Sequence, residues 1–171
     1  MIDDQEILDE RARRLAMVSA DTVAATGPGV LEVVTFTLSG ERYAIETRYV
    51  REIVPLADFT PVPRSPAFLF GVINLRGEVL AVFDLRPVFG LTQGTISDLF
   101  RVIVLGNDCP EFGVLAETVH EVTAFPTNAL YDLPAAGNHH AYLRGVTAEM
   151  LALVDGQLVL NDPLFSVNDG R

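Results

Sequence analysis

The sequence predicts an all-β protein, a barrel or a sandwich, made of two similar lobes of about five strands each. Two observations carry this prediction. Short apolar runs separated by glycine, proline and polar turn residues recur from residue 31 onward, with no long helical segment between them. The second part of this region also restates the first after roughly 70 residues, as an internal repeat does.

The repeat is clearest in two pairs of short motifs. Residues 43–45 (YAI) are followed after four residues by residues 50–53 (VREI), and residues 112–114 (FGV) are followed at the same spacing by residues 119–122 (VHEV). Each copy then continues with a Gly-Val pair and an apolar strand that ends in Asp. We therefore expect the two lobes to share one strand plan.

Residues 1–30 differ in character and are expected to form an N-terminal helix and a linker. Asp3 or Asp4 can cap a helix over residues 3–18, whose apolar residues fall on one side at helical spacing. Residues 19–30, rich in Ala, Thr and Gly, have the composition of a linker. Three readings of the helix stay open: docking on its own domain, binding a partner, or fraying.

The strands of the first copy follow in order. Residues 33–38 and 43–45 flank a hairpin turn at 39–41, and residues 50–54 alternate loosely. Prolines then break the chain before residues 68–70, and a hairpin over residues 71–85 follows. Residues 84–90 predict a short helical turn, and residues 91–100 a polar connection.

The hairpin over residues 71–85 turns at Arg76-Gly77. Gly77 can adopt the positive φ that a tight reversal needs, which leaves Arg76 at the turn with a planar, always-charged fork. The second copy has only Thr147-Ala148 between its Gly-Val pair and the next Glu, so the Arg-Gly turn is dispensable to folding. Arg76 is therefore either a solvated turn charge or a recognition residue for a carboxylate.

Composition restricts the partners. The formal net charge of −11 disfavours a nucleic acid or an anionic membrane. Residues 31–100 carry eight acids and six Arg, whereas residues 101–171 carry nine acids and three Arg, so the first lobe suits an acidic partner better. No apolar run reaches the length of a membrane span, and the N-terminus begins with acids. We expect a soluble cytoplasmic protein.

The sequence does not favour catalysis, and we expect no enzyme activity, no cofactor and no metal. His139 and His140, with Asp132, could suggest a metal site, but adjacent histidines point to opposite sides of a strand, and these two lie in a stretch with loop composition. The lone cysteine excludes an intrachain disulfide and has only acids nearby, so we expect it to be inert. A carboxylate pair in the VREI and VHEV motifs is better explained by duplication. The cysteine is Cys109, and the carboxylate pair is Glu52 and Glu121. His120 occupies the position of Arg51 in the repeat and is expected to be a surface strand residue rather than a base.

Several of these motifs together resemble the CheW-like domain family. The strongest match is GVINLRGEVLAVFDLR at residues 71–86, supported by FTLSGERYAI at 36–45, VREI at 50–53, and Pro63 with Pro66. Weaker matches follow in the second copy. The resemblance implies two SH3-like five-stranded β-barrel lobes packed together over residues 31–165, leaving residues 166–171 as a C-terminal tail.

The resemblance also implies a role in chemotaxis. Members of this family are scaffolds that bridge the cytoplasmic tip of a chemoreceptor to the regulatory domain of a histidine kinase, within receptor arrays. The resemblance implies that the kinase contacts the ends of the lobes, at residues that the sequence does not identify. It implies that the receptor lies in the groove between the lobes. By analogy the receptor-binding residues are Val50, Glu52, Ile53, Asn74, Arg76, Val102 and Val119.

Two departures from the family pattern keep alternatives open. Shorter members of the family lack a segment like residues 1–30, and the second copy here has lost its turn between Val146 and Glu149. A specialised adaptor that binds only one of the two partners would have these features. A generic β-barrel adaptor outside chemotaxis is the further alternative.

Overall fold

The computed structural model describes residues 29–92, 94, 97, 99–132 and 141–165. These residues form ten strands in two five-stranded sheets, with little helix, which confirms the predicted all-β class. The expected N-terminal helix over residues 3–18 and the tail over residues 166–171 lie outside the described residues. The strands are β1 (Val30–Leu38), β2 (Glu41–Glu46), β3 (Val50–Pro55), β4 (Leu69–Leu75), β5 (Glu78–Phe83), β6 (Arg101–Leu105), β7 (Phe112–Ala116), β8 (Thr118–Pro126), β9 (Leu143–Val146) and β10 (Ala152–Val154).

Short helical pieces connect the strands. Helix α1 (Leu85–Val88) follows β5 and helix α2 (Gly156–Asn161) follows β10, and single 3-10 turns lie at Thr47–Tyr49, Thr127–Ala129 and Pro163–Phe165. The predicted helical turn after β5 is thus confirmed. The aspartate at the end of each apolar strand caps the helix that follows, since its side chain accepts a backbone N–H of α1 or α2. No helix in the described ranges is long and apolar enough to cross a membrane.

The two sheets draw their strands from both halves of the chain. One sheet, which we call the β1 barrel, has the order β8-β1-β2-β10-β9, and the other, the β3 barrel, has the order β3-β6-β7-β5-β4. The hairpin β1-β2 therefore lies among the strands of the second repeat, and the hairpin β6-β7 lies among those of the first. The repeats have exchanged their first hairpins.

This exchange corrects one expectation. The assignment of residues 31–100 to one lobe and residues 101–171 to the other is wrong, because the turn at Thr47–Tyr49 carries the chain from one sheet to the other. The charge difference between the two halves is consequently not a difference between two lobes. By strand, the β1 barrel carries four acids and two Arg, and the β3 barrel carries two acids and two Arg.

Each sheet closes through the loop that follows its first edge strand. Beyond β3, Thr60 pairs with Val72 of β4 through two backbone hydrogen bonds of 2.8 and 2.9 Å. Beyond β8, Tyr131 pairs in the same way with Val146 of β9, at 2.8 and 3.0 Å. Each bridge connects the chain beyond one edge strand to the other edge strand of the same sheet, and in this way closes the sheet into a barrel.

The closing bridges explain the Gly-Val pairs of the repeat. A Cβ added at Gly71 would lie 2.6 Å from the carbonyl oxygen of Thr60, and one added at Gly145 would lie 2.8 Å from that of Tyr131. Both atoms belong to the backbone and cannot move aside without breaking the bridge. Glycine is therefore required at both positions because of this close approach.

Three apolar cores stabilise the fold. Alternate residues of β6 face different cores: Ile103 and Leu105 enter a core shared by the two barrels, whereas Val102 and Val104 enter the interior of the β3 barrel. A smaller cluster around Leu153 fills the β1 barrel. Strands such as β6 and β7 are buried on both faces, which is why they are continuously apolar in sequence.

A buried arginine completes the packing next to α1. Arg86 is 1% exposed, and its guanidinium donates to both carboxylate oxygens of Asp84 at 2.8–3.1 Å. It also reaches Glu117 at 3.3 Å and lies over the Phe100 ring. The hydrogen bonds with Asp84 raise the pKa of Arg86 above its ordinary value, so the group stays charged in the core.

Candidate protein-interaction site

The hairpin β4-β5 turns as the sequence predicts. Leu75 pairs with Glu78, and the two residues between them have positive φ: 50° at Arg76 and 88° at Gly77. Two successive positive φ values define the type I′ turn that suits the twist of a two-residue hairpin. Arg76 therefore has a conformational cost that Gly would avoid.

The Arg76 side chain is held by a carboxylate of the same molecule. Its guanidinium donates to the two oxygens of Glu52 at 2.6 and 3.0 Å, which is a bidentate ion pair between the hairpin tip and β3. The Arg76 side chain is 75% exposed and that of Glu52 is 22% exposed. Hydrogen bonding to Glu52 raises the pKa of Arg76. Arg76 was expected to be either a solvated turn charge or a recognition residue for a partner's carboxylate, and its pairing with Glu52 was not predicted.

Asn74 supports the turn from one residue before it. Its side-chain oxygen accepts the backbone N–H of Gly77 at 2.8 Å. Directly across the ladder is Val79, which is 69% exposed although it lies in a strand. The tip therefore presents a charged pair, an amide and an apolar side chain side by side.

The apolar residues predicted to bind the receptor differ in how deeply they are buried. Val50 and Val119 are half-buried against the core that the two barrels share, and Ile53 is 39% exposed on β3. Val102 is fully buried inside the β3 barrel. Its inclusion among the receptor-binding residues is therefore corrected, because its side chain is not accessible to a partner.

Elsewhere the described residues offer little for chemistry. His120 is exposed on β8 and its Nε2 lies 2.6 Å from the Thr37 hydroxyl, as a surface strand residue would. Cys109 is free and exposed. Across residues 29–92, 94, 97, 99–132 and 141–165, no group of three or more His, Cys, Asp or Glu side chains could hold a metal. His139 and His140 lie outside these ranges, so the expected lack of a metal stays a prediction.

The structural roles of three residues were not predicted from the sequence. Glu52 was assigned to receptor binding by the family resemblance, but its ion pair with Arg76 was not predicted. Val79 reads as a core residue because it lies in an apolar run. The burial of Arg86 was not predicted, and the one signal that could have indicated it is its position two residues after a strand-ending aspartate.

Fold and site together define a double-barrel domain in which an exposed turn, held by an internal ion pair, stands beside a partly apolar strand. Comparison with known proteins identifies the family. The CheW-like domain model matches residues 32–163, so the chain belongs to the CheW-like domain family.

Two relatives and one structure illustrate the similarity. The chemotaxis protein CheW of Treponema pallidum is 28% identical over 124 residues, covering 69% of this chain and 73% of that protein. The chemotaxis protein CheW of Klebsiella aerogenes is 30% identical over 143 residues, covering 81% and 86%. The crystal structure of the scaffolding protein TtCheW from Thermoanaerobacter tengcongensis superposes with a TM-score of 0.68 at 28% identity, covering 82% and 91%.

Proposed function

We propose that the protein couples the cytoplasmic tip of a chemoreceptor to the regulatory domain of a chemotaxis histidine kinase, and that it does so without catalysis. The match of the CheW-like model over residues 32–163, together with the double-barrel fold, carries this proposal. The protein would act in the cytoplasm, recruited to receptor arrays. Its domain boundaries would be residues 1–30 for the N-terminal segment and residues 31–165 for the scaffold.

The receptor-binding surface in this proposal centres on the tip of β4-β5 and on β3. A receptor helix would lay an apolar stripe on Ile53 and on the accessible parts of Val50 and Val119. An acid or a carbonyl oxygen of the helix would then meet Arg76, whose guanidinium is three-quarters exposed even while it is paired with Glu52.

Glu52 has a defined part in this surface. A flexible arginine would lose side-chain entropy on binding, but the bidentate pair holds the Arg76 fork in one orientation beforehand. The remaining N–H donors of the guanidinium are then available to the partner without reorientation. Glu52 is thus a positioning residue for Arg76.

The test replaces Arg76 with Ala and measures affinity for a receptor signalling fragment and for a kinase regulatory domain, together with the melting temperature. Receptor affinity should fall about tenfold or more if the arginine is desolvated in the complex. Stability should barely change, because an exposed ion pair contributes little to folding. Arg76→Lys should recover only part of the affinity, since an ammonium cannot reproduce a planar fork.

Arg64→Ala is the matched control. Arg64 is also an exposed arginine with positive φ, at 59°, but it lies in the proline-rich loop before β4. Its replacement should leave receptor affinity unchanged. Equal losses from both variants would mean that net charge alone is responsible, and unchanged receptor binding by Arg76→Ala would remove the hairpin tip from the site. Wild-type binding to only one of the two partners would identify a specialised adaptor.

A further inference from the structure

An apolar pocket lies where the two repeats meet. Ala67 and Phe68 lead into β4, and Ala141 and Tyr142 occupy the equivalent positions before β9. Both pairs line a single cavity of about 450 Å³. Because equivalent residues of both repeats contribute to it, the cavity lies at the junction of the two repeats. We call it the axial pocket; its other lining residues are Pro87, Val88 and Leu164.

The lining of the axial pocket is the most apolar of four cavities compared in the described part of the chain. No lining side chain carries a charge, and its one polar group, the Tyr142 hydroxyl, already donates to Asp162 at 2.6 Å. The other three cavities each contain at least one carboxylate. Leu164, at the rim, is 42% exposed. A surface of this kind suits aliphatic side chains and offers nothing to a charged ligand.

The chain itself supplies such side chains within reach. Residues 3–18 place Ile7, Leu8 and Leu15 on one side at helical spacing. The ten residues 19–28 separate this segment from Gly29, the first described residue, and can extend to about 33 Å. A domain of this size has a radius of gyration of about 14 Å, so the extended length of residues 19–28 is comparable with the dimensions of the domain and is sufficient to bring the segment to its far side.

Other occupants fit less well. The tail over residues 166–171 begins beside Leu164 but contains one large apolar residue, Val167. We propose that residues 3–18 dock intramolecularly on the axial pocket through Ile7, Leu8 and Leu15. This places the N-terminal segment on the repeat junction and leaves the β4-β5 tip uncovered.

The chain contains no tryptophan, so Leu8→Trp supplies a single fluorescent reporter in the full-length protein. Docking should give blue-shifted emission and protection from acrylamide, both independent of protein concentration. Ala141→Arg, in the same reporter background, places a charged side chain in the pocket from an exposed position and should shift the emission to that of a solvated indole. Ala67→Arg makes the equivalent change in the other repeat, and should act in the same way.

The matched control is Ala57→Arg, at an exposed alanine that lines none of the cavities named above. It should leave the emission blue-shifted. Thermal unfolding checks that each variant is folded. If Ala141→Arg does not fold, Ala67→Arg alone tests whether a charge in the axial pocket abolishes the blue shift. Solvated emission from the reporter alone would overturn the proposal. So would a blue shift that both pocket variants leave intact, or one that grows with concentration, since these indicate another site or a second copy.

Discussion

The hairpins β4-β5 and β9-β10 occupy equivalent places in the two barrels but differ in length and chemistry. The first has strands of seven and six residues and a tip formed by Arg76 and Gly77. The second has strands of four and three residues, and its exposed tip residue is Met150, with φ of 65°. What the two share is the glycine, the closing bridge and the strand-ending aspartate. The barrel therefore needs only this inner part, and the extra length in β4-β5 serves its exposed tip.

The comparison extends to the helices that follow the hairpins. Asp84 and Asp155 cap α1 and α2 in the same way. The residue two positions later is Arg86 in one repeat, buried and ion-paired, and Gln157 in the other, exposed. One repeat thus stabilises its helix start with a buried charge pair, and the other does without it.

The largest expected effect comes from this difference. Arg86→Ala should lower the free energy of unfolding by about 3–5 kcal/mol, because it leaves the Asp84 carboxylate buried without the arginine. Gln157→Ala should change it by no more than about 0.5 kcal/mol, as expected of an exposed residue. Urea denaturation measures both. Similar losses from the two variants would show that the repeats are stabilised alike at this position.

The shared glycines should be equally indispensable. Gly71→Ala and Gly145→Ala should each cost about 1–3 kcal/mol, because the added Cβ meets a backbone carbonyl of the closing bridge. Gly29→Ala is the control, since a Cβ there meets nothing within 4 Å. A neutral result at Gly145 alone would mean that the β1 barrel tolerates an open edge and the β3 barrel does not.

A smaller effect, confined to alkaline pH, separates Tyr142 from its repeat equivalent Phe68. Burial, and then the hydrogen bond to Asp162, raise the pKa of Tyr142 to about 12. The folded state thus favours the neutral phenol, and this contribution is present below about pH 10 and is lost as the pH rises to about 12. Tyr142→Phe should therefore lose less stability than the wild type over that range. Parallel stability curves from pH 9 to 12 would contradict this.

The smallest effect concerns the strained tip of the short hairpin. Met150→Gly should raise the free energy of unfolding by roughly 0.5 kcal/mol, because relief of the positive φ slightly outweighs the greater flexibility of glycine in the unfolded chain. Thermal unfolding measures it, with Ala148→Gly as an exposed control in the same loop. A loss of stability in Met150→Gly would show that the methionine side chain packs usefully.

The sequence allowed some of these features to be predicted and concealed others. The repeat, the strand order along the chain and the Arg76-Gly77 turn follow from local patterns with a period of two and from glycine's conformational freedom. The hairpin exchange could not be predicted, because it rests on pairing between strands 31 to 109 residues apart, such as Val82 with Gly113 and Tyr43 with Ala152, which leaves no local signature. Val102 was assigned to the receptor-binding site by analogy with the family, but strand alternation places its side chain in the interior of the β3 barrel. The Arg76–Glu52 pair joins residues 24 apart, beyond the reach of spacing arguments.

The exchanged hairpins also set the order in which the two barrels can form during synthesis. Every strand of the β3 barrel has been made once residue 116 leaves the ribosome, so that barrel can close first. The β1 barrel contains both the first strand and the last, β1 and β10, and cannot be completed before residue 154. Until then β1 and β2 form a hairpin that does not yet have both of its neighbouring strands, β8 and β10. The barrel begun first in the chain is the one finished last.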